Sequence, residues 1–371
     1  MKFPVLHELN LKLNANIVDF HGWQMPVFYS SILNEYNAVR EKLAVFDVSH
    51  MGRFMFTGTA AEAFLDYLTT NNLRNLKAGK ALYTCLLNHA AGIIDDLIIY
   101  KFNSEKFLLI NNAGNHQAVS DWFAEQFLEF GENNIKYEDI TAKIAQIAVQ
   151  GPLAKALINN YFKLSEDIPY FSFRSIDFNG EEYIISATGY TGEAGYEIYA
   201  KPDLIRNLVN DLEPLVLAGL GARDVLRLEA GYCLHGNDIS LDTNPYEASL
   251  DWVVKLDKDF IGKEKLLESL QRPKKKLVGL LFPVSERIIP RAGTKVYLEE
   301  AEIGHISSGT FSFILNRGIA LAYLENLSQP NFANLKRVSI KIRRDVFNAD
   351  IIEPWFYRNI RGKEIQSSEI S

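Results

Sequence analysis

Apolar residues in the stretch 32–48, ILNEYNAVREKLAVFDV, recur at intervals of three and four, which predicts an amphipathic helix passing into an extended VFDVSHMGRFMFTG. The helical spacing returns over residues 58–70, where Thr59 and Glu62 stand as a capping box at the start. Between residues 81 and 110 the period shortens. ALYTCLLN, GIIDDLIIY and EKFLLIN read as three strands of an antiparallel meander, separated by turn residues at 88–92 and 103–104. A helix over 115–130, a strand in IAQIAVQGP and a helix over 153–161 follow, then a hairpin of EEYIISAT and GYEIYA joined through GYTGEAG. PDLIRNLVNDLEPLVLAG (202–219) and ARDVLRLEAGYCL (222–234) read as helices. Helices interleaved with antiparallel strand pairs predict an α+β architecture, not a doubly wound parallel sheet. At QRPKKKLVGLLF, Pro273 and Lys274–Lys276 read as an exposed linker, and the short strands and turns beyond it predict a small β-barrel or sandwich.

At 371 residues the chain exceeds one ordinary core, so two or three domains are expected. A net charge of −7 gives no global attraction to nucleic acid or to an anionic membrane. The two cysteines, Cys85 and Cys233, form no CxxC pattern, which points to a reducing compartment without disulfides. Seven histidines without an HxxxH or HExxH pair predict no metal site. The opening MKFPVLHELN lacks the apolar segment of a signal peptide, and no apolar run approaches the ~20 residues of a membrane span. A cytoplasmic protein is the expectation.

Four places carry candidate chemistry. In GIIDDLIIY, strand alternation puts Ile94, Asp96, Ile98 and Tyr100 on one face and Ile93, Asp95, Leu97 and Ile99 on the other. One acid must then sit among apolar neighbours, where an unpaired carboxylate costs on the order of several kcal/mol. Either one aspartate caps the turn at Ala91–Gly92 while the other accepts backbone hydrogen bonds, or a carboxylate beside Tyr100 faces a ligand. Glycines 189, 192 and 195 are spaced GxxGxxG between two strands, the pattern of a glycine-rich hairpin turn and not of a nucleotide loop. Glu197 follows Tyr196 inside the apolar strand after that turn. Arg223 and Arg227 share one helical face, either as structural arginines satisfied by Asp224 and Glu229 or as forks for a carboxylate ligand. The isolated His50 reads as a satisfied core histidine.

The order of these segments resembles the glycine cleavage T-protein family, the tetrahydrofolate-dependent aminomethyltransferases, from about residue 20 to about residue 360. The matching stretches include DFHGWQMPVFY (19–29), FDVSHMG (46–52), LTTNN (68–72), LYTCLLN (82–88), GIIDDLIIY (92–100) and NNAGN (111–115). They continue through VQGP (149–152), TGYTGEAGYEIY (188–199), GLGARDVLRLEAGYCLHGNDI (219–239) and TNPYEASLDWVVKLDKDFIGK (243–263) to PRAG, IGHISSGT and LNRGIALAYL in the last part. Two departures stand out: SGTFSF has Phe313 where the family has proline, and the C-terminal segment reads EPWFYRNIRG, which leaves open which of Arg358 or Arg361, if either, reaches folate.

The resemblance implies a three-domain α+β fold around a central folate cavity. Its first domain is discontinuous (1–50 and 140–272), its second covers 51–139, and its third (273–371) is a C-terminal β-barrel. It implies that Asp96 is the catalytic carboxylate, that Glu197 binds the pterin edge and that Arg223 binds the folate tail or a pterin acceptor. Tyr83, Tyr100, Asn112 and Tyr190 would line the slot. The implied reaction moves the methylene of an aminomethyl-lipoyl H-protein to tetrahydrofolate and releases ammonia. Family H-proteins are acidic, so docking to this acidic chain calls for a local basic surface. The candidates are Lys274–Lys276, Lys336, Arg337, Lys341, Arg343 and Arg344, which could equally be ordinary solvated charges. Two rival functions share the fold. One is a folate-dependent demethylase. The other is a non-catalytic folate-binding maintenance factor, whose Lys-Gly-Cys-Tyr-x-Gly-Gln signature this sequence lacks.

Overall fold

The computed structural model of the chain describes residues 1–131, 134–212, 214–271, 273–325, 335–342 and 344–357. In chain order the elements begin α1 (His7–Lys12), β1 (Asn16–Phe20), β2 (Trp23–Phe28), α2 (Ile32–Glu41), β3 (Ala44–Asp47), β4 (Gly52–Thr57) and α3 (Ala61–Leu68). The meander follows as β5 (Lys80–Leu87), β6 (Ile93–Asn103) and β7 (Lys106–Asn111), then α4 (His116–Phe130), β8 (Lys136–Asp139), β9 (Ala145–Gln150) and α5 (Ala154–Phe162). Next come β10 (Phe173–Phe178), β11 (Glu181–Ser186), β12 (Gly195–Ala200), α6 (Pro202–Asp211), α7 (Leu220–Glu229) and α8 (Lys263–Leu270). The last strands are β13 (Lys275–Leu281), β14 (Lys295–Leu298), β15 (Ala301–Ser312), β16 (Arg317–Glu325), β17 (Arg337–Ile342) and β18 (Asp345–Ile352).

Two packing units divide these elements: residues 1–84 with 96–224, and residues 85–95 with the described residues from Val225 onward. Strands β5 and β6 and helix α7 each run through a division point, so neither unit is a continuous stretch of chain.

One five-stranded sheet has the order β5-β6-β7-β4-β8, and a second has the order β10-β11-β12-β9-β3. In the second sheet alternation separates two faces. Tyr196, Ile198 and Ala200 of β12 join Ala145, Ile147 and Val149 of β9 against Ile158 and Phe162 of α5 and Ile205 and Leu208 of α6. Each large apolar side chain buried there contributes about 1.5–3 kcal/mol relative to exposure. The opposite face carries Gln146, Gln150, Ser186, Glu197 and Tyr199, every one buried. The two sheets of this unit meet through a cluster of Ala81, Tyr100, Leu108 and Ile110 with Phe173, Ile184 and Tyr199.

In the other unit β13-β16-β15-β14-β17-β18 close into a barrel, β13 pairing with both β16 and β18. Leu280, Phe282, Val296, Ile306, Ala320 and Ile340 fill it. The mixed α+β class and the barrel expected from the sequence are both present.

Local corrections are instructive. No capping box starts α3: its N-cap is Ala60, without a side-chain cap, and the Glu62 carboxylate is drawn to the ammonium of buried Lys101. Helix α6 stops at Asp211, well short of residue 219, because Pro214 cannot continue a helix. The linker is shorter than expected, since Lys275 and Lys276 pair with Glu325 and Leu324 in the barrel.

Candidate functional site

The meander builds the first half of the site. Strands β6 and β7 pair with Ile98 opposite Ile110, and continuing that register by two residues sets Asn112 opposite Asp96. The Asn112 amide donates to Asp96 Oδ1 at 2.7 Å, and the Tyr83 hydroxyl of β5 donates to Asp96 Oδ2 at 3.0 Å. Both carboxylate oxygens are therefore held, yet Tyr83, Asp96 and Asn112 all remain half-buried. Asp95 is fully buried on the opposite face, as alternation requires of one of the two acids. In the turn before β6, Asn88 Oδ1 accepts from the backbone N–H groups of Ala90 and Gly92, each at 2.9 Å.

The glycine-rich hairpin builds the second half. Gly192 takes φ +77°, a conformation that side chains rarely adopt. Arg40 ties the turn down, donating to Thr191 O at 2.9 Å and to Glu193 Oε1 at 2.7 Å in a buried ion pair. Tyr190 leaves this turn, and the Arg223 guanidinium lies over its ring, 4.6 Å from the centroid. Arg223 is aimed by the start of α7. There Gly219 N donates to Glu35 Oε2 at 2.9 Å, while Glu35 Oε1 accepts from Tyr29 N and Ser30 N at 2.6 and 3.0 Å.

Glu197 sits behind that pair, fully buried on the polar face of β12. Thr188 donates its hydroxyl to Glu197 Oε2, and the Gln146 amide donates to Oε1 at 3.2 Å. Burial pushes the carboxyl above its ordinary value, while Thr188, the Arg223 charge, Gln146 and Tyr199 pull it back down.

Tyr100 joins the two halves. Its hydroxyl lies 3.0 Å from Thr188 Oγ1 and 2.8 Å from Tyr199 Oη, so the Asp96 strand and the Glu197 strand share one hydrogen-bonded network. Tyr100 is fully buried, unlike Asp96 on the same strand face. Sequence reasoning missed Gln146, Thr188 and Tyr199. A polar residue recurring inside an apolar strand run was the available signal, since Tyr199 stands two residues from Glu197 and so shares its face.

His50 is core but not satisfied: its Nδ1 is buried without a hydrogen-bond partner. Burial, with the charges of Arg223, Arg53 and His21, lowers the imidazole to about 3, so His50 is neutral at physiological pH. Arg227, buried, pairs with Asp238 at 2.7 Å and donates to Ser308 Oγ at 2.9 Å. Glu229 accepts from Ser312 Oγ at 2.7 Å.

Among the basic candidates, Arg337 pairs with Asp350 and Lys341 with Glu300, while Lys275 lies over the Tyr323 ring. Lys274, Lys276, Lys336 and Arg344 are exposed. Arg343, Arg358 and Arg361 lie outside the described residues. Among the described residues no His/Cys/Asp/Glu group is arranged to hold a metal, and no helix is long and apolar enough to cross a membrane.

Residues 6–258 match the GCVT N-terminal domain family, and residues 275–358 match the glycine cleavage T-protein C-terminal barrel domain. An aminomethyltransferase from Thermotoga sp. (strain RQ2) is 43% identical over 330 residues, 87% of this chain and 89% of that protein. One from Thermotoga neapolitana is 38% identical, covering 98% of this chain and 100% of the relative. The crystal structure of glycine cleavage system aminomethyltransferase T from Bartonella henselae superposes with a TM-score of 0.87. It is 33% identical, and the match covers 97% of this chain and 99% of that one. On matches of this length to both of its parts, the chain belongs to the glycine cleavage T-protein family of aminomethyltransferases.

Proposed function

We propose that this chain moves the methylene of an aminomethylated lipoyl H-protein to tetrahydrofolate, releasing ammonia, with Asp96 as the catalytic carboxylate. The observation that carries the role of Asp96 is its setting. A half-buried acid has one oxygen fixed by the Asn112 amide and the other by the Tyr83 hydroxyl, both neutral donors. Its negative charge thus faces the site in a defined direction.

The donor set suits a pterin with a carboxylate tail. Buried Glu197 accepts from N–H donors of the kind a pterin edge offers, and Arg223, half-buried over Tyr190, presents a guanidinium to an anionic or carbonyl group. Tyr83, Asn112 and Tyr190 line the same face, with Tyr100 supporting Glu197 from behind. When bound, tetrahydrofolate supplies the nitrogen that takes up the methylene. Asp96 orients that nitrogen and stabilises positive charge as it develops on the transferred carbon. No covalent bond to the protein is required. Asp96 acts through charge and position, and Tyr83 and Asn112 keep its carboxylate from turning away.

The same reading assigns three domains, at 1–50 with 140–272, 51–139 and 273–371, and a cytoplasmic setting. The test is formation of methylene-tetrahydrofolate and ammonia with and without aminomethylated H-protein. Activity that depends on H-protein supports the reading. Turnover of a methylated sulfur or oxygen donor in its place would assign the chain to a demethylase, and folate binding without turnover would assign it to a binding factor.

A further inference from the structure

Two sequence motifs, FDVSHMG and NNAGNH, contain residues that the proposed chemistry does not use: Gly52, Asn111 and His116. The structure places all three at one point. His116, the first residue of α4, has Nε2 2.9 Å from Asp139 Oδ2 and Nδ1 3.2 Å from Asn111 Oδ1. Asn111, fully buried, donates its amide Nδ2 to the backbone oxygen of Asn112 at 3.0 Å. Asn112 in turn donates to Asp96 Oδ1 at 2.7 Å. A Cβ on Gly52 would lie 2.0 Å from Asn111 Oδ1 and 2.2 Å from His116 Nδ1, so glycine leaves the room in which those two atoms meet.

The hydrogen-bond directions in this chain fix the proton count. Asp139 is a carboxylate and can only accept, so His116 Nε2 must donate. Turning the Asn111 amide over would set its oxygen against the Asn112 oxygen, two acceptors face to face, so Oδ1 points at His116. His116 Nδ1 must then donate as well. Both ring nitrogens carry hydrogen only in the imidazolium.

We propose that His116 is a positioning residue for Asp96: as an imidazolium it bridges Asp139 and Asn111 and so fixes the backbone at Asn112, whose amide aims the Asp96 carboxylate. This rests on the role of Asp96 in the proposed transfer. The groups around the ring are few. From β8 comes Asp139, which also accepts from Thr141 N at 2.9 Å and lies within the field of Arg53. From β4 come Gly52 and the Phe54 ring, stacked at 5.0 Å, and from β7 comes Asn111. The N-terminal end of α4 disfavours a cation at this position, and the Asp139 carboxylate 2.9 Å away favours one through a charge-assisted hydrogen bond. A ring without hydrogen on Nδ1 would set a lone pair against Asn111 Oδ1 and loosen the tether.

The test measures kcat and KM for tetrahydrofolate in wild type, His116→Gln and Asp139→Asn, alongside two-bond 1H–15N spectra of histidine-labelled full-length protein. The expected wild-type spectrum under assay conditions shows both His116 nitrogens protonated. His116→Gln should lower kcat about tenfold and change KM less than about threefold. Asp139→Asn should remove the doubly protonated signature of His116 and lower kcat in the same sense, which also serves if the glutamine variant does not fold. A neutral His116 ring in the active wild type, or folded variants with unchanged kcat, overturns the proposal while leaving an active transferase in place. A wild type without transferase activity overturns the functional reading instead, and the spectra still decide the protonation of His116.

Discussion

Replacing Asp96 by asparagine removes one negative charge and little else. Asparagine keeps an oxygen for the Asn112 amide, now 2.7 Å from Asp96 Oδ1. Its new amide nitrogen faces the Tyr83 hydroxyl, which can rotate from donor to acceptor. The loss is therefore electrostatic. A unit charge about 4 Å from a developing cation is worth about 4 kcal/mol at an effective dielectric of ~20 and about 1 kcal/mol in bulk water. Asp96 is half-buried, between those limits, so kcat should fall between about 5- and 700-fold, at ~1.4 kcal/mol per decade. Tetrahydrofolate affinity, measured by calorimetry, should change less than about threefold, because charge on the transferred carbon develops only during the reaction. The assay is methylene-tetrahydrofolate formation from aminomethylated H-protein. Asp95→Asn is the control: fully buried on the other face, it should cost stability and leave kcat within about threefold. A folded Asp96→Asn enzyme with wild-type kcat, or an Asp95→Asn enzyme that is stable but slower, would refute the face assignment.

Glu197→Gln should weaken tetrahydrofolate binding by about 1–3 kcal/mol, read by titration. Its stability carries a second signature: burial raises the folded carboxyl above its ordinary value of 4.5, so as pH climbs through that window the unfolded chain sheds its proton first and stability falls. The glutamine variant lacks that loss, and its advantage in thermal unfolding over wild type should grow from pH 4 to pH 7; an advantage that shrinks with pH contradicts the buried assignment. Arg227→Ala leaves Asp238 buried without its 2.7 Å cation and should cost about 3–5 kcal/mol in urea unfolding, far more than an exposed pair such as Arg337–Asp350. Reversing Lys336 and Arg344 to Glu should raise KM for H-protein several-fold at low salt and matter less at ~0.15 M, where screening reaches ~8 Å. An H-protein titration insensitive to both changes removes the barrel as the docking surface.

What was legible in the sequence is what local physics decides. The alternation in GIIDDLIIY separated the two acids because a strand turns every second side chain to the same face, and Asp95 is fully buried while Asp96 is half-buried on the other face. The barrel was readable from its short strands and turns. Partner choice was not. Arg227 pairs with Asp238 in a loop beyond its own helix, Asn88 caps the turn before β6, and Glu62 reaches Lys101 instead of its own helix start. Each choice is made by a buried charge or an unfilled backbone donor that only the assembled fold brings near.

The polar face of β12 and β9 follows from the same reasoning taken one step further. Both strands are buried along their whole length, and one face is filled with apolar side chains against α5 and α6. A sheet selected for stability alone would gain by filling the other face the same way, since replacing a buried charge by a well-packed apolar residue is often neutral or favourable. Glu197 instead keeps a carboxyl that burial works against, and Thr188, Gln146 and Tyr199 are spent holding it. Tyr100 brings the Asp96 strand into the same network through Thr188 and Tyr199. The strand that carries Asp96 is thus tied to Glu197 through side chains whose hydrogen bonds would be wasteful in a plain core. Because burial works against that carboxyl while the proposed ligand uses it, the Glu197→Gln variant is expected to gain stability at the pH where it loses binding.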